Sequence, residues 1–143
     1  MLSQKLKYSL RAVLFLALRD ASEDPVGAIE ISGALKIPAA YTGKILQELA
    51  RNNIISSQKG PNGGFYLTKA NRSARIIRIV ETVDGMAMFH SCGLGLSQCS
   101  ETRPCPFHDT FKTIRSSLLA IFRSKTIGEL SEDILKQELF LVR

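Results

Sequence analysis

The sequence predicts a mainly α-helical protein with a small β-hairpin, arranged as a winged helix-turn-helix followed by a long C-terminal helix. Three observations predict this fold. Apolar residues recur at helical spacing through most of the chain, two short apolar runs flank a glycine-rich turn at 59–64, and a later helix carries an apolar seam of period 3.5. A chain of 143 residues can bury a sound core as one domain.

Charge is distributed unevenly along the chain. Residues 1–80 contain 12 Lys and Arg against 5 Asp and Glu, whereas residues 81–143 contain 7 against 8. We therefore expect an anionic partner to bind the first half. No apolar run reaches the length of a membrane span, and Arg19 and Asp20 stand where a signal peptide would need small residues. The sequence predicts a cytoplasmic protein without membrane contact.

Helical spacing of apolar residues predicts a first helix from Lys5 to about Ala21, which the turn residues Ser22-Glu23-Asp24-Pro25 end. Residues 1–19 contain no Asp or Glu. This helix therefore offers no carboxylate to a metal.

Two shorter helices are predicted next, over Ala28–Leu35 and from Pro38 to about Asn52. Together with the first helix they form a helix-turn-helix pattern, although an ordinary helical hairpin would look similar. The outer face of the third helix is predicted to carry small and polar residues that suit close approach to a groove: Ala39, Ala40, Thr42, Gly43, Lys44 and Gln47.

A hairpin is predicted directly after the third helix, with strands at Ile54–Gln58 and Phe65–Thr68. The tip between them, Lys59–Gly64, is basic and rich in glycine, as expected for the wing of a winged helix. In such a fold the third helix enters the major groove of DNA and the wing reaches the backbone or the minor groove. An ordinary hairpin turn is the alternative.

A further helix is predicted over Ala74–Asp84, with its apolar residues inside. Arg72, Arg75 and Arg78 either contact phosphates or form a solvated face.

All three cysteines lie in one segment, residues 92–108, which we call the cysteine loop; its sequence is CGLGLSQCSETRPCPFH. Three thiolates in a short loop can converge on one soft metal centre. Pro106 suits the first position of a following helix, which would place Cys105 at the positive end of that helix. His108, three residues after Cys105, is then the preferred fourth ligand, and His90 is a spare.

Several kinds of site are compatible with this loop. The gaps between Cys92, Cys99 and Cys105 are six and five residues, whereas structural zinc sites usually contain a closer Cys pair. This spacing favours an iron-sulfur cluster over zinc. A disulfide with one free cysteine, or simple burial of the thiols, are the other interpretations.

After the cysteine loop, apolar residues alternate in steps of four and three along a predicted helix, and such a seam calls for a partner helix. These residues are Phe107, Phe111, Ile114, Leu118 and Ile121. The sequence therefore predicts a homodimer through this helix. Thr126 and Glu129 have capping-box spacing and begin a last helix, which packs either on the first helix or on the second subunit.

The order of these elements resembles the bacterial iron-sulfur transcription regulators of the IscR, NsrR and RirA type. The resemblance rests on the wing at 59–65 (KGPNGGF), the helix segment at 41–46 (YTGKIL) and the cysteine triplet. Two positions depart from the family: Lys59 replaces a common arginine, and Gly43 replaces a glutamate of the cluster-assembly regulator. The departures put base preference and subfamily in question.

The resemblance implies a homodimeric regulator of promoter DNA, a repressor and not an enzyme, that senses iron, redox state or nitric oxide through a cluster. It implies a 2Fe-2S rather than a 4Fe-4S cluster, held by Cys92, Cys99, Cys105 and His108. The implied contacts with double-stranded DNA come from the third helix and the wing: Ala39, Ala40, Tyr41, Thr42, Lys44, Lys59, Gly60, Pro61, Asn62 and Gly63.

The expected organisation is a DNA-binding winged helix-turn-helix at 1–84, a cluster-binding loop at 85–108, and a dimerisation helix with a C-terminal helix at 106–143. A small thiol-redox or electron-transfer protein is the alternative from another class. The same regulator with zinc or a disulfide switch in place of a cluster is a third interpretation.

Overall fold

A computed structural model describes residues 2–19 and 24–143. These residues form helices and one hairpin in the following order: α1 Gln4–Leu18, α2 Ala28–Leu35, α3 Ala39–Arg51, β1 Ser56–Gln58, β2 Gly64–Tyr66, α4 Lys69–Arg72, α5 Ile77–Val83, a 3-10 turn Ala87–Phe89, α6 His108–Ser124 and α7 Ile127–Lys136. The predicted fold, mainly helical with a small hairpin in a winged helix-turn-helix, is confirmed.

Helix α1 is the centre of the core and contacts α2, α3, α5 and α7. Its apolar residues, such as Leu6 and Val13, are fully buried. Ser3 caps the helix, because its hydroxyl accepts a hydrogen bond from the backbone N–H of Leu6 at 3.0 Å. The helix ends at Leu18, earlier than predicted; Ala21 and residues 22–23 of the predicted turn lie outside the described residues.

Helices α2 and α3 form where the sequence predicts them. Lys36, at the end of α2, adopts a left-handed conformation with φ of 53°, and this turns the chain toward α3. Ile45, Leu46 and Leu49 of α3 are buried against the core. Their spacing fixes which face of α3 remains in solvent.

The wing pairs β1 with β2 in antiparallel register, with Ser56 opposite Tyr66. Both strands are shorter than predicted, because Ile54 and Ile55 are buried in the core before the hairpin begins. Phe65 also exchanges two backbone hydrogen bonds of 2.9 Å with Val26, which adds a bridge that the sequence did not predict. A Cβ at Gly64 would lie 2.5 Å from the carbonyl oxygen of Val26, so this contact requires glycine.

The predicted helix at 74–84 begins three residues late, at Ile77. Arg75 instead forms an isolated antiparallel bridge with Thr126, held by hydrogen bonds from Ile76 N to Lys125 O (3.1 Å) and from Ile127 N to Ala74 O (2.9 Å). This long-range pairing overrides the local helical pattern.

Helix α6 begins at His108, two residues after the predicted start at Pro106. The backbone N–H of His108 donates to the carbonyl of Cys105 at 3.0 Å, so Pro106 and Phe107 form a turn before the helix. Phe122 of α6 packs edge-to-face on Phe89 of the 3-10 turn.

Helix α7 begins with the predicted capping box, in which Thr126 and Glu129 satisfy each other's backbone N–H groups. It packs on α1 of the same chain, which is one of the two placements that the sequence left open. Arg11 of α1 donates to the carbonyl of Leu141 at 2.8 Å and so fixes the C-terminal residues to the core. Among helices in the described ranges, none is both long enough and apolar enough to cross a bilayer.

Candidate functional site

The exposed face of α3 carries four of the ten residues expected to contact DNA. Ala39, Ala40, Tyr41 and Lys44 are exposed, and the ring of Tyr41 packs edge-to-face on Tyr8 of α1. This contact places Tyr41 at the border between α3 and α1. The exposed face begins with the small side chains of Ala39 and Ala40 and carries a positive charge at Lys44, as expected of a helix that enters a groove.

The placement of Thr42 on this outer face was wrong. Only 1% of Thr42 is exposed, and its hydroxyl donates to the carbonyl of Pro38 at 3.0 Å. The residue precedes Ile45, Leu46 and Leu49 by three, four and seven positions, so it belongs to the buried stripe of the helix. The side chain therefore cannot reach a base edge.

A groove of about 490 Å³ separates α3 from the wing. Gln47 and Arg51 line it from the helix, and Gln58 and Lys59 line it from the hairpin. Arg51, which the sequence analysis did not include, follows Gln47 by one helical turn on the exposed face. The groove joins α3 and the wing, the two elements predicted to contact DNA, into one basic surface.

The tip of the wing is exposed at Lys59, Gly60, Pro61 and Asn62, and Gly63 is half-buried. Gly60 has a φ of 106°, a conformation that favours glycine. A Cβ at Gly63 would lie 2.1 Å from the carbonyl oxygen of Gln58, so the turn closes only without a side chain there. These two glycines make the tip narrow.

Two of the three arginines considered for phosphate contact have structural partners instead. Arg72 donates to the carbonyls of Ala17 (2.7 Å) and Arg19 (3.1 Å) at the end of α1, and Arg75 donates to Ser124 (3.0 Å) at the end of α6. Both satisfy free carbonyl groups at helix C-termini. Arg78 is exposed.

The cysteine loop brings its four candidate ligands together as two pairs. Sγ of Cys99 lies 3.4 Å from Nδ1 of His108, and Cys105 is near enough to Cys92 to lower the pKa of the Cys92 thiol. Cys92 and His108 are buried, whereas Cys99 and Cys105 are half-buried. The three thiols are free of disulfides.

Backbone N–H groups surround the thiol of Cys92. Those of Leu94 and Leu96 donate to it and lower its pKa, and the Cys105 thiol adds to this effect, which outweighs the opposing effect of burial. A turn closed by a 3.0 Å hydrogen bond from Gly95 N to Cys92 O directs these groups at the sulfur. The loop therefore favours the thiolate, which is the form that binds metal.

The chemistry of the donor set fits an iron-sulfur cluster. Three thiols and an imidazole are ligands that such clusters take. Over residues 2–19 and 24–143, no three His, Cys, Asp or Glu side chains gather closely enough to hold one metal ion. Two ligands of one tetrahedral metal, at bonds of about 2.3 Å to sulfur and 2.0 Å to nitrogen, lie about 3.5 Å apart, close to the separation of Cys99 and His108.

His108 keeps a buried nitrogen without a hydrogen-bond partner, Nε2. Oε2 of Glu101 lies 3.4 Å from this nitrogen, but the geometry does not form a hydrogen bond. Oε1 of Glu101 accepts from the ammonium of Lys112, which lowers the pKa of Glu101 and raises that of Lys112. A carboxylate in this place can orient a ligand histidine.

A cavity of about 370 Å³ opens beside this pair, and His90, the spare ligand, lines it together with Cys99, Glu101 and His108. His90 itself is exposed. Arg115 of α6 also lines the cavity and donates to Sγ of Cys99 at 3.2 Å. Glu101, Lys112 and Arg115 were not predicted as part of the site. Lys112 and Arg115 follow His108 by four and seven residues, and Glu101 is a charged residue at the centre of the loop.

Next to its loop-facing side, α6 carries the predicted apolar seam, which we call the α6 seam: Phe107, Phe111, Ile114, Leu118 and Ile121. In the α6 seam, Phe107, Ile114 and Ile121 expose 51%, 47% and 64% of their surface. Phe111 touches the cysteine loop, since a Cβ at Gly93 would lie 2.6 Å from its ring. One helix therefore contacts the candidate ligands on one face and carries a partly exposed apolar seam on the neighbouring face.

Comparison with known proteins identifies relatives over nearly the whole chain. Residues 2–133 match the family described as "Rrf2: Iron-dependent Transcriptional regulator". An HTH-type transcriptional regulator of Aquifex aeolicus is 32% identical over 130 residues, which cover 90% of this chain and 89% of the relative. The transcriptional regulator IscR of Escherichia coli is 28% identical over 129 residues, covering 90% and 78%.

Two solved structures support the winged-helix fold. CymR, the global cysteine regulator of B. subtilis, superposes with a TM-score of 0.72 at 18% identity, covering 92% of this chain and 96% of that chain. IscR of T. potens superposes with a TM-score of 0.72 at 17% identity, covering 98% and 92%.

Proposed function

The chain belongs to the Rrf2 family of iron-dependent transcriptional regulators, and we propose that it is a homodimeric repressor controlled by a 2Fe-2S cluster. As a member of this family it is a DNA-binding transcription regulator and not an enzyme. The signal is iron, redox state or nitric oxide, read through the cysteine loop. The observation that carries this proposal is the approach of Cys99 Sγ to His108 Nδ1 at 3.4 Å, in the loop that also contains Cys92 and Cys105.

Residues 1–84 bind double-stranded promoter DNA in this proposal. Helix α3 enters the major groove with Ala39, Ala40, Tyr41 and Lys44, and the wing contacts the backbone through Lys59 to Gly63. Arg51, between the two, adds a phosphate contact. The basic groove between α3 and the wing supports this arrangement.

Residues 85–108 would hold the cluster, with Cys92, Cys99, Cys105 and His108 as its ligands. The cluster supplies an electron-accepting centre that oxidants, nitric oxide or iron shortage can alter. The protein supplies the thiolates: the backbone N–H groups of Leu94 and Leu96 stabilise Cys92 in its charged form.

Residues 106–143 form the dimer interface through the α6 seam, whose exposure supports a partner helix. Because Gly93 lies against Phe111, a change in the loop displaces a residue of the seam. Two winged helices joined by that seam would then change their spacing on DNA. This is a shift between two populations of the dimer.

A second candidate keeps the regulator and replaces the cluster with a redox disulfide. The position of Cys105, near enough to Cys92 to lower the pKa of its thiol, favours it. In that case both thiols lose their protons and two electrons pass to an external oxidant. DNA affinity would then follow the thiol state and not the iron content.

Cys99→Ala tests the proposal, with Gln98→Ala as the control because Gln98 is an exposed neighbour in the same loop. We expect Cys99→Ala to lose the cluster and to change promoter selectivity while remaining folded and dimeric. Iron content, sedimentation and binding to a promoter library measure the three properties. A Cys99→Ala protein that keeps both cluster and selectivity would rule out the cluster switch.

A further inference from the structure

Arg115 connects α6 to the middle of the cysteine loop and to Ser91, the residue just before the loop. One guanidinium nitrogen, Nη1, donates to the carbonyl of Ser91, and Nη2 donates to Sγ of Cys99 at 3.2 Å. The side chain is half-buried, and its Nε is buried without a protein partner. A guanidinium is costly to bury unless acceptors surround it. The acceptors here are the carbonyl of Ser91 and the sulfur of Cys99.

The position of Arg115 on α6 ties it to the proposed ligands. It follows His108 by seven residues, or about two helical turns, so both side chains lie on the loop-facing side of the helix. Helix α6 therefore holds both His108, a candidate ligand, and Arg115, which contacts the second candidate ligand Cys99. Arg115 has only N–H donors and cannot bind the metal itself.

The contact with Cys99 has a defined electronic consequence. A thiolate bound to iron keeps lone pairs that accept hydrogen bonds. Donors and positive charge at such a sulfur stabilise the reduced cluster, which carries one more negative charge, and so raise its reduction potential. In the described part of the chain, Arg115 supplies the guanidinium that hydrogen-bonds a cysteine sulfur.

We propose that Arg115 is a positioning residue that holds Cys99 against α6 and raises the reduction potential of the cluster. The inference rests on the proposed function, because the potential depends on Cys99 being an iron ligand. The link to Ser91 fixes the start of the loop, and the link to Cys99 fixes its middle. Loss of the side chain therefore affects both the geometry of the loop and the electronics of the sulfur.

The test compares Arg115→Gln and Arg115→Lys with Arg123→Gln. Arg123 is exposed in the last turn of the same helix and its replacement removes the same charge. Each protein is reconstituted without oxygen, its iron and sulfide are assayed, and its midpoint potential is titrated by visible absorbance. We expect a more negative potential for Arg115→Gln, an intermediate one for Arg115→Lys, and the wild-type value for Arg123→Gln.

Three outcomes decide the inference. A wild-type potential in both Arg115 variants overturns it while leaving the cluster in place. If Arg115→Gln holds no cluster, Arg115→Lys decides: a lowered potential supports the inference and an unchanged one overturns it. A wild-type protein that forms no cluster overturns the proposed function together with the inference.

Discussion

The ring of Phe111 lies directly against the backbone of Gly93, so that a Cβ at position 93 would come within 2.8 Å of three ring atoms. Gly93 belongs to the cysteine loop, one residue after Cys92, and Phe111 belongs to the α6 seam. The loop and the proposed dimer surface therefore share one contact. Any change at one must be accommodated by the other.

Gly93→Ala should separate the loop from α6, because the added methyl group must displace the ring of Phe111. We expect less iron per chain after reconstitution and a dimer that dissociates at a higher protein concentration, measured by sedimentation. Ser97→Ala, at an exposed position of the same loop, is the control. Unchanged iron content and association would mean that this contact does not transmit the state of the loop.

Lys59→Ala should weaken binding to every DNA sequence by a similar factor. An exposed lysine at the tip of the wing is positioned to neutralise a phosphate, so its loss should reduce the slope of log K against log salt by about 1. Lys136→Ala on α7 removes the same charge far along the chain and serves as the control. A Lys59→Ala protein with the wild-type slope would place the wing away from the backbone.

Thr42→Val should leave sequence preference unchanged and lower the free energy of unfolding by about 1 kcal/mol. The side chain is buried, and the substitution removes only its hydrogen bond to the carbonyl of Pro38. Selection of binding sites and chemical denaturation measure the two effects. A changed preference for DNA sequence in Thr42→Val would contradict the buried orientation of this side chain.

Lys44→Ala, on the exposed face of α3, should by contrast alter base preference in the same selection of binding sites.

Arg72→Gln should destabilise the protein by about 2 kcal/mol, because its charged donors satisfy two carbonyls at the end of α1. Its effect on the salt dependence of DNA binding should be small. Arg78→Gln removes an exposed arginine from α5 and should leave stability unchanged. Chemical denaturation gives the free energy of unfolding of both variants. Equal free energies for Arg72→Gln and Arg78→Gln would argue against the capping role of Arg72.

Local signals were sufficient for several elements of the fold. The bounds of α2, the start of α3 after Pro38, and the capping box at Thr126 follow from periodicity and cap chemistry within a few residues. The family resemblance was confirmed by comparison with known proteins. Such features depend on neighbours along the chain, which the sequence displays directly.

Features set by distant parts of the chain could not be predicted in this way. The late start of α5 depends on pairing with residues 125–127, and the role of Arg72 depends on the end of α1. The orientation of Thr42 was available from its spacing to Ile45 and Leu49, but a polar residue was assumed to face solvent. Arg115 could not be linked to Cys99 because the path of the cysteine loop is irregular.

The measurement that tests the central claim most directly is the visible absorbance of protein purified without oxygen, with iron and sulfide assayed on the same sample. The account predicts a coloured protein with about two irons and two sulfides per chain, both lost in Cys99→Ala. A protein that stays colourless after anaerobic reconstitution would contradict it. The regulator would then depend on zinc or on the thiols alone.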